Sequence, residues 1–282
     1  MSQRPDRPDF LYIGAAKAGS SWLYKILRSH PDVFIPPAKD VQYFDHQYQL
    51  GWEWYAAHFK KAQPHQMRGD ISHDYFLSAE YAQRIAQDCP DVKLIACLRN
   101  PISRCVSKFT YAQSTIIKND VSMRDFLLRE DMLAEAQYYK NLKPFYDIFP
   151  RENIFVYFFD DMVNDPVDLY RRISIFLGID ENFRPDELEN KVHVARTVKV
   201  EWIAHMAWRL AKLLRKIGLA NVVGKIKSNP LYNKVMYSAR KEKPTLDPDL
   251  EADLVKNLCS DFPELEALLE TQLPVSWPRI EQ

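Results

Sequence analysis

The 282-residue sequence has no net charge to speak of, because 38 lysines and arginines stand against 38 aspartates and glutamates. Without a global field, nothing in the charge argues for nucleic acid or an anionic membrane as an obligatory partner, and any basic function has to be local. No run of about 18 apolar residues occurs, so no integral membrane segment is expected. Met1 to Asp9 is polar and proline-containing and lacks the apolar core of a signal peptide. Cysteine is scarce: Cys89, Cys97, Cys105 and Cys259 form no C-x-x-C pair, and free thiols in a reducing compartment fit them best. His30, His46, His58, His65, His193 and His205 show no H-x-x-x-H spacing, and no metal is expected. No repeat or low-complexity tract is visible, and the 18 prolines are scattered at element boundaries instead of clustering in a linker. Residues 1–282 are therefore read as a single domain with a flexible lead-in at 1–9, placed in the cytoplasm. With 46% hydrophobic residues it can bury a substantial core.

What is present is concentrated first in Phe10 to Leu27, FLYIGAAKAGSSWLYKIL. Phe10-Leu11-Tyr12-Ile13 is a short apolar run suited to a central parallel strand, and Trp22, Leu23, Ile26 and Leu27 recur at helical spacing. Between them Gly14 and Gly19 bracket small residues and Lys17, and Ser20 and Ser21 open the helix. A helix start carries unpaired N–H groups and the positive end of the macrodipole, so this turn reads as an anion cradle with an added lysine charge. The glycine spacing matches the P-loop G-x-x-x-x-G-K-[ST], but Ser20 holds the lysine position and the lysine has moved to 17. No second apolar strand ends in a magnesium-binding carboxylate. An ordinary ATPase or kinase is disfavoured by both facts, while a phosphotransferase and a nucleotide-binding module without turnover stay as alternatives.

Further along, Val33 to Ile35, Val92 to Leu98 and Ile154 to Phe159 read as strands, and Met67 to His73 as a strand running into a loop. Ala79 to Asp88 and Pro166 to Leu177, the latter ended by Gly178, read as helices. Such alternation predicts an α/β fold with a parallel sheet and helices on both faces. Ligands then bind at the carboxyl ends of the strands, which gathers the loops after Ile13, Ile71 and Leu98 on one rim. There, RNPISRCVS places Arg99 at a strand end, with Arg104 and Ser107 one turn apart on the helix begun by Pro101. All three are expected to converge on one phosphate.

Two motifs in this order resemble the sulfotransferases that use 3′-phosphoadenosine 5′-phosphosulfate (PAPS): G-x-x-K-[AS]-G-[ST]-[ST]-W-L, and R-[ND]-P-x-x-R-x-x-S about 80 residues later. The likeness is greatest to the heparan sulfate sulfotransferases and their bacterial relatives, and it extends through Lys39 to Asp45, Gly69 to Phe76, Ile154 to Gly178 and Arg240 to Trp277. It implies a P-loop-like three-layer fold with a helical C-terminal part. It also implies PAPS as co-substrate, adenosine 3′,5′-bisphosphate as product, and a sugar, natural-product or other small-molecule hydroxyl as acceptor. By the same resemblance Lys17 faces the bridging oxygen and the leaving phosphate. Lys17, Ala18, Gly19, Ser20, Ser21 and Trp22 hold the 5′-phosphosulfate, Arg99 and Ser107 hold the 3′-phosphate, and Arg240 closes over the nucleotide. Ser238 and Ala239 depart from the lysine and glycine of that last motif.

Transfer to a hydroxyl requires a proton acceptor within hydrogen-bond reach. Heparan-type enzymes carry a glutamate where this chain has the shorter Asp40. Small-molecule sulfotransferases use a histidine at the end of a central strand, where this chain has His73. His73 is ranked first as base, with Asp40 orienting it or acting itself. The basic amphipathic stripe from Trp202 to Ile217 is left open among core element, acceptor lid and membrane-docking surface.

Overall fold

Phe10–Gly14 forms β1, and every residue in it is buried, as befits an apolar run in the middle of a parallel sheet. The computed structural model describes residues 6–115, 121–188, 196–198, 210, 237–239 and 244–280. In it β1 pairs in parallel with β3 (Met67–Ile71) on one side and β4 (Lys93–Leu98) on the other. β2 (Val33–Phe34) flanks β3 and β5 (Ile154–Phe158) flanks β4, also in parallel. The order β2-β3-β1-β4-β5 means that the chain first winds to one side of β1 and then crosses to the other. The carboxyl ends of β1 and β4 thus form the switch point at which such sheets bind ligands. The parallel α/β sheet read from the sequence is present and is flanked by helices.

Local signals account for the helices nearest this rim. α1 (Ser20–Ser29) buries Trp22, Leu23, Ile26 and Leu27, and α2 is the short Trp52–Ala56. α3 (Ala79–Asp88) is capped by the Ser78 side chain. α4 (Pro101–Thr115) begins with proline at its first position, and the Asn100 side chain accepts from the Ser103 amide. Three helices in the middle had no counterpart in the sequence reading: α5 (Met123–Leu127), α6 (Glu130–Ala134) and α7 (Tyr138–Ile148). Two are a single turn long, and α7 carries Pro144 inside it, so none offers a sustained period. α8 (Phe159–Asn164) leads into α9 (Pro166–Leu177), which Gly178 ends at φ 79° as expected.

β6 (Arg196–Val198) and β7 (Tyr237–Ala239) form a small antiparallel pair, and α10 (Pro248–Leu258) and α11 (Phe262–Leu269) close the helical C-terminal part. Trp277 returns to the sheet, buried against Tyr138, Phe158 and Phe262, with its indole N–H 3.2 Å from Asp160. At the other end Arg7 pairs with Asp91, and the Asp9 carboxylate accepts from the Arg68 amide. All four cysteines are buried and free. Arg240 and, apart from Leu210, the stripe from Trp202 to Ile217 lie outside the described residues.

Candidate active site

The loop from Gly14 to Gly19 is held by its carbonyls. That of Ala15 accepts from the Tyr12 hydroxyl at 2.9 Å, that of Ala16 from Arg104 Nε at 3.1 Å, and that of Lys17 from Arg99 Nη1 at 3.0 Å. In a trans peptide the N–H that follows points opposite to its carbonyl, so the amides of Ala16, Lys17 and Ala18 are turned away from these donors. Ser20 and Ser21 add the amides of a helix start, which have no intrahelical acceptor. Gly19 makes the geometry possible: its φ is 92°, and a Cβ there would lie 2.8 Å from Met162 Sδ. Lys17 is itself left-handed at φ 65°, a strained choice for a lysine of the kind found at ligand clamps.

Lys17 Nζ sits 4.3 Å above the Tyr111 ring. Burial, followed by the nearby cations Lys39, Arg99, Lys108 and Arg104, pulls its ammonium from 10.5 to about 8. A group of like charges that depress one another in a dry loop is what a polyanion relieves, and this fits the proposed phosphosulfate better than a neutral ligand. Lys39 also donates to Ser20 Oγ at 3.1 Å and lies 3.9 Å from Asp40 Oδ1. Nothing in the residues around Lys39 marks it for this contact. Only the approach of two segments 19 residues apart reveals it.

Asp40 and His73 meet. Nδ1 of His73 lies 2.5 Å from Asp40 Oδ1, while Nε2 is 3.8 Å from Asp74 Oδ2. An ionised carboxylate only accepts, so Nδ1 donates to it and Nε2 carries the lone pair of the neutral ring. Burial lowers the pKa of His73, but the charges of Asp40 and Asp74 and the Asp40 hydrogen bond outweigh it, and the net shift is upward. The Asp40 carboxylate thus fixes the ring and leaves His73 Nε2 with the lone pair, and the Asp40 backbone is left-handed at φ 63°.

Arg99 and Ser107 line one cavity of about 450 Å³, together with Val106, Thr110, Leu246 and Glu251. Arg99 also stacks 4.6 Å over the Phe159 ring. Arg104 does not join them, contrary to the expectation of three groups on one phosphate. It is 1% exposed, holds Ala16 and pairs with Glu135 at 2.7 Å, while Glu135 also binds Lys108. The carboxylate following α6 draws the guanidinium inward, and Arg104 shapes the loop from below. Trp22 likewise stays out of the cradle: its side chain is buried in the core and its amide bonds to the Gly19 carbonyl. Trp52 and Tyr55 pack around Tyr43, with Tyr43 and Tyr55 stacked at 4.3 Å.

Comparison with known proteins agrees with this geometry. The family described as "Sulfotransferase domain" matches residues 7–200. Mouse heparan sulfate glucosamine 3-O-sulfotransferase 3B1 is 29% identical over 187 residues, which is 61% of this chain and 46% of that protein. The chain thus matches about half the length of this curated relative. Among solved structures, a sulfotransferase from Alicyclobacillus acidocaldarius superposes with a TM-score of 0.70 at 23% identity, covering 95% of this chain and 97% of the other. A mouse sulfotransferase complexed with PAP superposes with a TM-score of 0.55 at 17% identity, covering 96% and 91%. At these identities the two structures speak for the fold.

Proposed function

The chain belongs to the sulfotransferase family, and from that premise we propose that it transfers a sulfuryl group from PAPS to a hydroxyl of a carbohydrate or another small acceptor. The observation that carries this reading is the continuity of the site. The His73–Asp40 pair is joined through Lys39 to Ser20 at the start of α1, so a proton acceptor and an anion cradle share one rim. PAPS would supply an activated sulfuryl group and a 3′,5′-bisphosphate leaving group. Lys17, Ala18, Gly19, Ser20 and Ser21 would hold the 5′ end through amides and one ammonium, and Arg99 and Ser107 the 3′-phosphate. Arg240 belongs to the same proposal.

The residues divide the work by charge. Lys17 and the α1 dipole provide fixed positive potential where negative charge builds up, at no cost of reorganisation. His73 Nε2 takes the acceptor proton, and Asp40 holds the ring and stabilises the imidazolium that forms. The 3-O-sulfotransferase relatives favour a sugar hydroxyl as the first acceptor to test. Four buried thiols suit a reducing compartment, and the cytoplasm is the proposed setting. Among the described residues no helix is long and apolar enough to cross a membrane.

The direct test is incubation with ³⁵S-labelled PAPS and a panel of glucosamine-containing oligosaccharides, phenols and aliphatic alcohols. Label in an acceptor, with matching release of adenosine 3′,5′-bisphosphate and a loss of about 100-fold or more in Lys17→Ala, is the expected result. Magnesium-dependent turnover of ATP with no sulfate transfer would move the assignment to a phosphotransferase. Tight binding of the bisphosphate with no transfer to any acceptor would leave a binding module.

A further inference from the structure

Behind the catalytic pair lies a buried carboxylate that the mechanism does not use. Asp70, near the end of β3, is fully buried and accepts three hydroxyl hydrogen bonds. They come from Ser72 at 2.9 Å, Tyr75 at 2.8 Å and Tyr55 at 3.0 Å. Two of these hydroxyls have a second partner. Ser72 Oγ accepts the Gln42 amide at 3.1 Å and the Tyr75 oxygen accepts the Tyr43 amide at 2.9 Å, while the Asp40 amide bonds to the Ile71 carbonyl at 3.0 Å. The segment so clamped, Asp40 to Tyr43, contains two left-handed non-glycine residues, Asp40 at φ 63° and Gln42 at φ 58°. A conformation of this kind persists only where its surroundings over-determine it.

Resting on the reading of His73 as proton acceptor, we propose that Asp70 is a positioning residue: it holds, through Ser72 and Tyr75, the turn that presents Asp40 to His73. The reason lies in proton direction. A hydroxyl has one hydrogen, and an ionised carboxylate only accepts. Burial pushes the Asp70 carboxyl up to about 6, so above that pH it is ionised, commits the hydrogens of Ser72 and Tyr75 to itself and leaves their lone pairs facing the Gln42 and Tyr43 amides. A side chain that donated in its place would turn a hydroxyl hydrogen toward an amide hydrogen and loosen the turn. Tyr55 donates to the same carboxylate without holding any turn amide, and it separates the two roles experimentally.

The test uses the full chain and the variants Asp70→Asn, Tyr75→Phe, Ser72→Ala and Tyr55→Phe. Their first readout is the His73 imidazole titration followed by NMR in the nucleotide-free protein. The charged groups facing that ring are Asp40, Asp74 and Lys39. Loosening Asp40 should bring the titration back down toward the unperturbed value of about 6.5 in Asp70→Asn and Tyr75→Phe, with a smaller change in Tyr55→Phe. In turnover with PAPS, kcat should drop about 10- to 100-fold while KM for the donor stays within about twofold, as expected for misplacement of a catalytic group. In an Asp40→Asn background, Asp70→Asn should add little. An unmoved His73 titration in folded Asp70→Asn and Tyr75→Phe would overturn the proposal, and so would equal losses from Tyr55→Phe and Tyr75→Phe. The NMR readout does not depend on the reaction. A shifted titration in a protein that transfers no sulfate supports the positioning role and refutes the proposed function.

Discussion

The depressed pKa of Lys17 makes the pH profile the sharpest test of the site. If its ammonium must be present to receive PAPS, kcat/KM, which reports the free enzyme, should fall above about 8. About nine-tenths of Lys17 is charged at pH 7 and about one-tenth at pH 9, so the value should drop about tenfold for each further pH unit. On the acid side His73 must be neutral to accept a proton, and because its pKa is raised, that limb should lie above the ordinary 6.5. The two limbs leave a narrow optimum. In kcat the basic limb should move upward, since a bound polyanion among Lys17, Lys39 and Arg99 offsets their mutual repulsion and restores the charge. Lys17→Arg keeps a cation at every accessible pH, so its basic limb should vanish even though turnover falls with the altered shape. Initial rates across pH 5.5 to 10 at varied PAPS provide both profiles. A wild-type kcat/KM that stays level to pH 10, or a limb near 8 kept in Lys17→Arg, would refute the reasoning.

Arg99→Ala and Ser107→Ala should weaken calorimetric binding of adenosine 3′,5′-bisphosphate more than they lower kcat, and equal affinity would reduce Arg99 to a loop anchor. Arg104→Met removes a buried ion pair and frees the Ala16 carbonyl, so urea denaturation should show a loss of about 3 kcal/mol; an unchanged midpoint would show that the loop holds its shape without it. Gly19→Ala must sustain φ 92° and displace Met162, and about 1–2 kcal/mol of strain should appear as lower stability or weaker nucleotide binding. His73→Ala should lose about 10²- to 10⁴-fold in kcat and Asp40→Asn less, with the acid limb of Asp40→Asn drawn back toward 6.5; an active His73→Ala beside a dead Asp40→Asn would exchange their roles.

What could be read from the sequence was local. β1 and, after Lys93, β4 announce themselves as apolar runs, and α9 carries its own start and stop residues, Pro166 and Gly178. The cradle was legible because Gly14, Lys17, Gly19 and Ser20 are neighbours in the chain. Asp40, expected either to orient His73 or to act itself, is bonded to it across 33 residues on the same rim. Hidden from the sequence was everything set by distant contacts. Arg104 lies one turn from Ser107 on α4, yet Glu135, 31 residues away, determines where it points. Lys39 and Asp70 acquire meaning only when the segment after β2 is laid across the end of β3.

The strand order carries a further consequence for synthesis on the ribosome. β1 is made first but sits at the middle of the sheet, and neither neighbour can pair with it until β3 and then β4 have emerged. From Gly14 to Leu98 is 84 residues (98 − 14), roughly 4–17 s at typical translation rates. For that interval a strand destined for full burial has at least one edge open, and until β3 is complete at Ile71 it has both. Nascent chains halted before residue 93 should therefore be captured by chaperones that bind apolar segments, and release should coincide with the emergence of β4.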